Sequence, residues 1–218
     1  MFDTILDSGV GSNELSLASG GWLSPLLQGY EGMQRFENEF FGGTTITGNS
    51  RWTTSFGADQ EAFIGINKVP TLIGTTVGLY LRIANPNTNT ETGYFLRLVH
   101  DGTALRQYDY FRIDTGQVFN ALGASVVGPT LTVGDALGCA ASGSTLTVYT
   151  KQGAGAWTAL DAGRTDATYS SSGLIGFGAT TADYGGTADI RMVNFGGGTT
   201  GGVGSLIGGH HFSRLRRW

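Results

Sequence analysis

Apolar residues alternate with polar ones at a period of two along several stretches of this chain, and this period restricts the fold more than any other feature. It is clearest in residues 77–84 and 94–100. The apolar face of the first stretch consists of Val77, Leu79, Leu81 and Ile83. Tyr80 and Arg82 fall on its other face. Because successive side chains of a strand point to opposite faces, both stretches are predicted strands, joined into a hairpin by the polar segment between them.

The same alternation returns along the rest of the chain, with glycine-containing turns between the segments. The further predicted strands are 107–114, 144–150, 157–160, 174–178 and 188–195. No window shows a 3.6-residue period, so helix should be nearly absent. The predicted fold class is all-β, an antiparallel two-sheet β-sandwich of the jelly-roll type in residues 1–195.

The composition changes after residue 195, where a glycine-rich spacer (196–209) leads into the basic and aromatic segment 210–218, HHFSRLRRW. Its three arginines leave −4 − 3 = −7 on residues 1–195. A solvated tail, a nucleic-acid contact and a docking arm are all open interpretations, although three arginines make a small footprint for nucleic acid on an acidic protein. The residues predicted to dock onto a partner are Phe212, Arg214, Leu215, Arg216, Arg217 and Trp218.

Catalytic residues are not evident in the sequence. A glycosidase needs two carboxylates roughly 5–10 Å apart across a cleft. Glu37 and Glu39 share a strand face by spacing, but a solvated strand face is the favoured explanation. The histidines, His100, His210 and His211, suggest no Ser-His-Asp or Cys-His set. The chain is therefore predicted not to be an enzyme.

Metals and cofactors are not predicted either. The single cysteine, Cys139, lies among small apolar residues and is expected to be a buried thiol. Calcium would need clustered oxygen ligands, which loop residues could supply, although ordinary loop polarity accounts for them too. Those residues are Asp183, Asp189, Asn85, Asn87 and Asn89.

Exposed aromatic rings could form a platform for sugars, while core packing is the alternative for each ring. The candidates are Trp22, Trp52, Tyr80, Tyr108, Tyr110 and Tyr149. No stretch approaches the roughly 20 apolar residues of a membrane span, and the opening residues lack the pattern of a signal peptide. Synthesis and folding in a cytoplasm are expected.

From residue 52 to 198 the order of phrases resembles the concanavalin A-like lectin/glucanase (LamG-like) sandwich domains of tailed-phage and other viral virion proteins. The similar phrases are the strand pair in 134–148, the strand with Trp157, and the strand in 169–176. Residues 1–51 match that pattern only loosely.

The resemblance implies a non-catalytic viral structural protein, a capsid decoration, fibre or tail-associated subunit with a face that can bind surface glycans. It implies a homo-oligomer in the virion, made in the host cytoplasm, with other virion subunits and host-surface carbohydrate as partners and no membrane contact. The alternative is a free carbohydrate-binding module or a glucanase-like glycoside hydrolase.

Overall fold

The computed structural model describes residues 2–9, 21–23, 33–36, 38–41, 47–86, 88–180 and 190–200. All regular structure in these ranges is β-strand, and no helix there is long and apolar enough to cross a membrane. The strands are β1 (Ile5–Asp7), β2 (Trp22–Leu23), β3 (Gln34–Phe36), β4 (Glu39–Phe41), β5 (Thr47–Trp52), β6 (Gln60–Lys68), β7 (Thr76–Ala84), β8 (Thr92–His100), β9 (Leu105–Asp114), β10 (Val118–Ala121), β11 (Val126–Val127), β12 (Ala136–Ser142), β13 (Thr145–Lys151), β14 (Thr158–Ala159), β15 (Arg164–Thr165), β16 (Leu174–Thr180) and β17 (Arg191–Thr199).

The strands form two antiparallel sheets. The first sheet has the order β14-β13-β12-β6-β17-β4-β3, with β1 paired to β17 and β15 paired to β13. The second sheet has the order β10-β9-β8-β7-β16-β5-β2, with β11 paired to β9. This arrangement confirms the predicted two-sheet sandwich, and β7 and β8 form the predicted hairpin.

The core lies between the two sheets and is built by the alternation seen in the sequence. In β8, Tyr94, Leu96 and Leu98 are buried, while Phe95 and Arg97 between them are half-buried. The other strands contribute in the same way, and Cys139 is fully buried among them, as predicted. Burial raises the pKa of the Cys139 thiol well above its usual range.

The alternation of β7 breaks near its end, which corrects one prediction. A β-bulge between Leu81 and Ala84 interrupts the pairing with β8, and Arg82 takes a positive φ of 52°. Ile83 therefore packs with Tyr80 instead of with Val77, so the predicted grouping of Ile83 with the core face is wrong. A bulge adds one residue to a strand, so the faces exchange beyond it.

The last strand also runs further than predicted, because β17 continues to Thr199. The predicted strand 188–195 therefore ends four residues too early. Gly196 and Gly197 are buried and pair with Phe63 and Ala62 of β6. A Cβ at either glycine would overlap neighbouring backbone oxygens. These glycines allow close packing of the strand, whereas their composition suggested a spacer.

Candidate functional site

Four aromatic side chains form a row across the outer face of the second sheet, which points away from the core. Tyr80 of β7 lies opposite Phe95 of β8, and Phe95 lies opposite Phe111 of β9. Phe119 of β10 meets Phe95 and Phe111 edge-on, with ring centroids 5.9 and 6.2 Å apart. Tyr80 and Phe95 are stacked at 4.5 Å. We call these four residues the aromatic strip.

Two glycines allow the rings of the strip to lie close to the sheet. A Cβ at Gly78 would overlap the Phe95 ring, and a Cβ at Gly178 would lie 3.2 Å from the Tyr80 ring. Each glycine stands on the strand next to the one that carries the ring. The missing side chains therefore leave the space that the rings fill.

A buried ion pair closes the strip at the β5 end. The guanidinium carbon of Arg51 lies 3.4 Å from the centroid of the Tyr80 ring, a cation–π contact. The Nη2 group of Arg51 donates a hydrogen bond of 2.7 Å to Oε1 of Glu91, and both side chains are only 3% exposed. This end of the strip is therefore held rigidly and has its charge balanced.

A second ion pair lies beside the strip on β8 and β9, with its arginine partly exposed and its aspartate buried. Both Nε and Nη2 of Arg97 donate to Oδ2 of Asp109, at 3.0 and 2.6 Å. The Arg97 guanidinium also lies over the Phe111 ring, 4.8 Å from its centroid. The Arg97 side chain is 34% exposed and that of Asp109 is 7% exposed. This pair thus places a polar contact directly beside the aromatic rings.

Exposure of the strip increases toward the sheet edge. Tyr80 is 5% exposed, Phe95 and Phe111 are half-buried, and Phe119 is 38% exposed. The part that a ligand can reach therefore covers β8, β9 and β10. An apolar ring surface with a charged pair beside it can contact the C–H face of a sugar while it hydrogen-bonds to the hydroxyl groups.

The outer face of the first sheet carries another aromatic cluster, which the chain itself covers. Phe2 is 1% exposed and packs against Phe63, Tyr149 and Trp157, with its ring centroid 4.5 Å from that of Trp157. Its backbone N–H donates to the buried carboxylate of Glu61, whose pKa is raised by burial against the opposing effect of that hydrogen bond. These rings are already in contact with Phe2, which leaves the aromatic strip as the more accessible ring surface.

The sugar-platform residues proposed from sequence mostly belong elsewhere. Trp22, Tyr108 and Tyr110 are buried in the core, and Trp52 packs against it, so core packing is the alternative that holds for these four. Tyr149 lies on the first sheet beside Phe2. Of the six candidates, Tyr80 alone belongs to the strip.

Phe95, Phe111 and Phe119, together with Arg97 and Asp109, were missed by the sequence analysis. The alternation did contain a signal, since Phe95 and Arg97 fall opposite the apolar face of their strand. The sequence pattern did not reveal the register between β8 and β9, which places Phe95 beside Phe111 and Arg97 beside Asp109. Register depends on contacts between strands, so one strand's pattern does not reveal it.

Of the two candidate catalytic carboxylates, Glu39 alone lies within the described residues. Glu39 is half-buried, accepts a hydrogen bond from Asn67 and lies 3.9 Å from Arg191, whereas Glu37 lies outside the described residues. Elsewhere, Asp114 and Asp166 both receive hydrogen bonds from Arg112. The bond from Arg112 holds the pKa of Asp114 below its usual range.

The candidate metal ligands are not brought together where the structure describes them. His100 accepts a hydrogen bond from the N–H of Gly102, and Asn85 donates to the carbonyl of Thr90. The backbone carbonyl of Asn89 accepts from the N–H of Gly116. No group of three or more His, Cys, Asp or Glu that could hold a metal ion occurs among the described residues. The other candidates lie outside them: Asp183, Asp189, Asn87, His210 and His211. The whole predicted docking segment, residues 210–218, also lies outside.

Comparison with known proteins identifies the fold but no family. No family model and no curated protein matches this chain, whereas solved structures do. The carbohydrate-binding module CBM66 from Bacillus subtilis has a TM-score of 0.53 at 15% identity, over 82% of this chain and 96% of that one.

Two further solved structures are similar in fold. The potassium-bound carbohydrate recognition domain of Emp46p has a TM-score of 0.57 at 11% identity, over 89% of this chain and 95% of its own. The GH43 protein BlXynB from Bacillus licheniformis has a TM-score of 0.55 at 13% identity, over 89% of this chain but only 39% of that chain. These similarities show that the chain has the concanavalin A-like, lectin-like sandwich fold.

Proposed function

We propose that this chain is a non-catalytic carbohydrate-binding protein whose ligand lies on the aromatic strip, beside the Arg97–Asp109 pair. The observation that carries the proposal is the row of rings on the outer face of the second sheet, with Phe119 38% exposed at its end. Aromatic rings exclude water from the apolar face of a sugar, and a charged pair next to them can bind its hydroxyl groups.

The solved structures with the same fold support this proposal. Two of them are described as a carbohydrate-binding module and a carbohydrate recognition domain, and this chain spans 96% and 95% of their lengths. Because identity is 15% or lower, the similarity concerns the fold, and the proposed site depends on this chain's own residues.

The absence of catalysis is proposed from the state of the carboxylates beside the strip. Hydrolysis of a glycosidic bond requires one carboxyl group as acid and another as base or nucleophile. Glu91 is bound by Arg51, and Asp109 is bound by Arg97. Both carboxylates beside the strip are therefore already bound to a guanidinium, which argues against either of them as the acid or the nucleophile of a hydrolysis.

The experiment that tests both parts is a glycan array combined with a hydrolysis assay on the purified chain. We expect binding to at least one class of glycan and no release of reducing ends from polysaccharides. Turnover that disappears in Glu39→Gln would support the glucanase-like alternative and contradict the proposal.

The role in a virion is a finer part of the same proposal. The acidic body of residues 1–195 and the basic aromatic segment 210–218 support it, because the segment could bind an acidic surface of a neighbouring subunit. In this proposal the segment attaches the sandwich to the particle, and the aromatic strip faces host-surface glycans.

Deletion of residues 210–218 tests the attachment. The truncated chain should keep the melting temperature and the glycan binding of the full chain, but it should no longer form the oligomer or join the particle. Sedimentation analysis of both forms measures this. If the truncated chain assembles as the full chain does, the segment has no role in attachment.

A further inference from the structure

We infer that the ligand of the aromatic strip is an uncharged glycan, recognised through two adjacent hydroxyl groups by the Arg97–Asp109 pair. The inference rests on the proposed function and specifies its ligand. Two features of the side chains around the strip support it. Their charges are balanced by ion pairs, and two atoms of the Arg97–Asp109 pair have no hydrogen-bond partner among the described residues.

Each guanidinium described on or near this face has a carboxylate partner. Arg51 is bound by Glu91 at 2.7 Å, and Arg97 is bound by Asp109 at 2.6 Å. Arg106, further along β9, is bound by Asp101 at 2.8 Å. No guanidinium described on or next to the strip is therefore left to attract an anion.

The Arg97–Asp109 pair leaves one nitrogen of the guanidinium and one oxygen of the carboxylate without a partner among the described residues. Both hydrogen bonds between the two side chains end on Oδ2 of Asp109, and they use Nε and Nη2 of Arg97. Oδ1 of Asp109 and Nη1 of Arg97 make no hydrogen bond with any described residue. A ligand at this position is therefore offered a guanidinium donor and a carboxylate acceptor that belong to the same ion pair.

Two adjacent hydroxyl groups complement this arrangement. A hydroxyl group can both donate and accept, so one can accept from Arg97 while its neighbour donates to Asp109. A carboxylate or sulfate group only accepts hydrogen bonds, and it would bring a second negative charge next to Asp109. That repulsion, in a site that is partly removed from water, disfavours acidic sugars.

The size of the accessible surface fits a short piece of a sugar chain. Phe95, Phe111 and Phe119 lie on three neighbouring strands. Two strand spacings make about 10 Å, which gives room for about two sugar rings. The Arg97 guanidinium, over the Phe111 ring, lies at the middle of this surface.

The first test uses the wild-type chain with neutral oligosaccharides and with their uronic-acid and sulfated counterparts on one array. We expect the neutral members to bind at least tenfold more tightly, with little change between low and high salt. Stronger binding of the acidic members, weakening as salt rises, would contradict the inference but leave the proposed function intact. If no glycan binds at all, the proposed function is wrong and the inference with it.

The second test destroys the pair of adjacent hydroxyl groups in the glycan and leaves the protein unchanged. Periodate breaks the carbon–carbon bond of a vicinal diol and leaves two aldehydes. A glycan that binds the wild-type chain should therefore no longer bind after it has been oxidised with periodate. Undiminished binding after complete oxidation would contradict recognition through a diol. The glycan carried through the same procedure without periodate is the control.

The third test is Asp109→Asn, which keeps the size of the side chain and leaves Arg97 without its counter-ion. Binding of the neutral glycan should fall at least tenfold, and binding of a carboxylated counterpart should rise. The melting temperature reports whether the variant folds. A folded variant with the preference of the wild type would contradict the inference.

Discussion

Single residues decide whether the rings of the aromatic strip can lie where they do. Gly78 and Gly178 leave space for the Phe95 and Tyr80 rings, so the strip depends on side chains that are absent as much as on those that are present. The bulge at Arg82 has a similar local effect, because it turns Ile83 toward Tyr80 and adds apolar contact beneath the strip.

Gly78→Ala should displace the Phe95 ring, because the added Cβ would overlap it. We expect a loss of about 1–3 kcal/mol in the free energy of unfolding from the overpacking, together with weaker glycan binding. Urea denaturation and binding titrations measure the two effects.

Gly198→Ala is the matched control for this substitution. Gly198 is also a strand glycine, but a Cβ there meets only the Phe56 ring at 3.9 Å, an ordinary contact. If both substitutions had the same effect on binding, the packing of Phe95 over Gly78 would not matter for the site.

At the scale of elements, the two sheets are connected through Arg82, which projects from the bulge of β7. Its guanidinium donates to the backbone carbonyls of Ala58, Tyr169 and Gly143, and its side chain is only 1% exposed. Burial lowers the pKa of Arg82, an effect that Asp59 partly opposes. One side chain thus satisfies acceptors from three separate loops.

Arg82→Met should destabilise the fold by about 3–5 kcal/mol, since it leaves buried carbonyls without donors. Lysine should not restore stability, because a single ammonium group cannot reproduce the planar set of donors. Chemical denaturation of both variants tests this. Arg106→Met, where the side chain is 35% exposed and paired with Asp101, is the control and should shift the midpoint little. A small effect of Arg82→Met would show that water replaces the guanidinium.

The positions of the strands in the sequence were largely predictable, whereas their pairing and register were not. Alternation located β7, β8, β9, β13 and β16 within a few residues, because one buried face imposes a period of two. It did not predict the bulge at Arg82 or the extension of β17 through Gly196, since both depend on contacts with other strands. For the same reason the aromatic residues of the core and of the strip were not told apart.

At the scale of the whole molecule, each sheet has an aromatic cluster on its outer face, and the two differ in what contacts the rings. On the first sheet, Phe2 packs against Phe63, Tyr149 and Trp157. On the second sheet, exposure increases from Tyr80 to Phe119. Phe119 is the one exposed aromatic side chain of either cluster among the described residues, and this difference favours the second sheet as the binding face.

The measurement that tests this most directly is glycan titration against Phe119→Ala, with Ile73→Ala as the matched control. Phe119 is 38% exposed on the strip, and Ile73 is 67% exposed on the loop between β6 and β7. Both variants should fold, as both residues are exposed. We predict that Phe119→Ala weakens binding at least tenfold, about 1.4 kcal/mol, and that Ile73→Ala binds as the wild type does. Unchanged affinity in Phe119→Ala would contradict the assignment of the aromatic strip as the glycan-binding face.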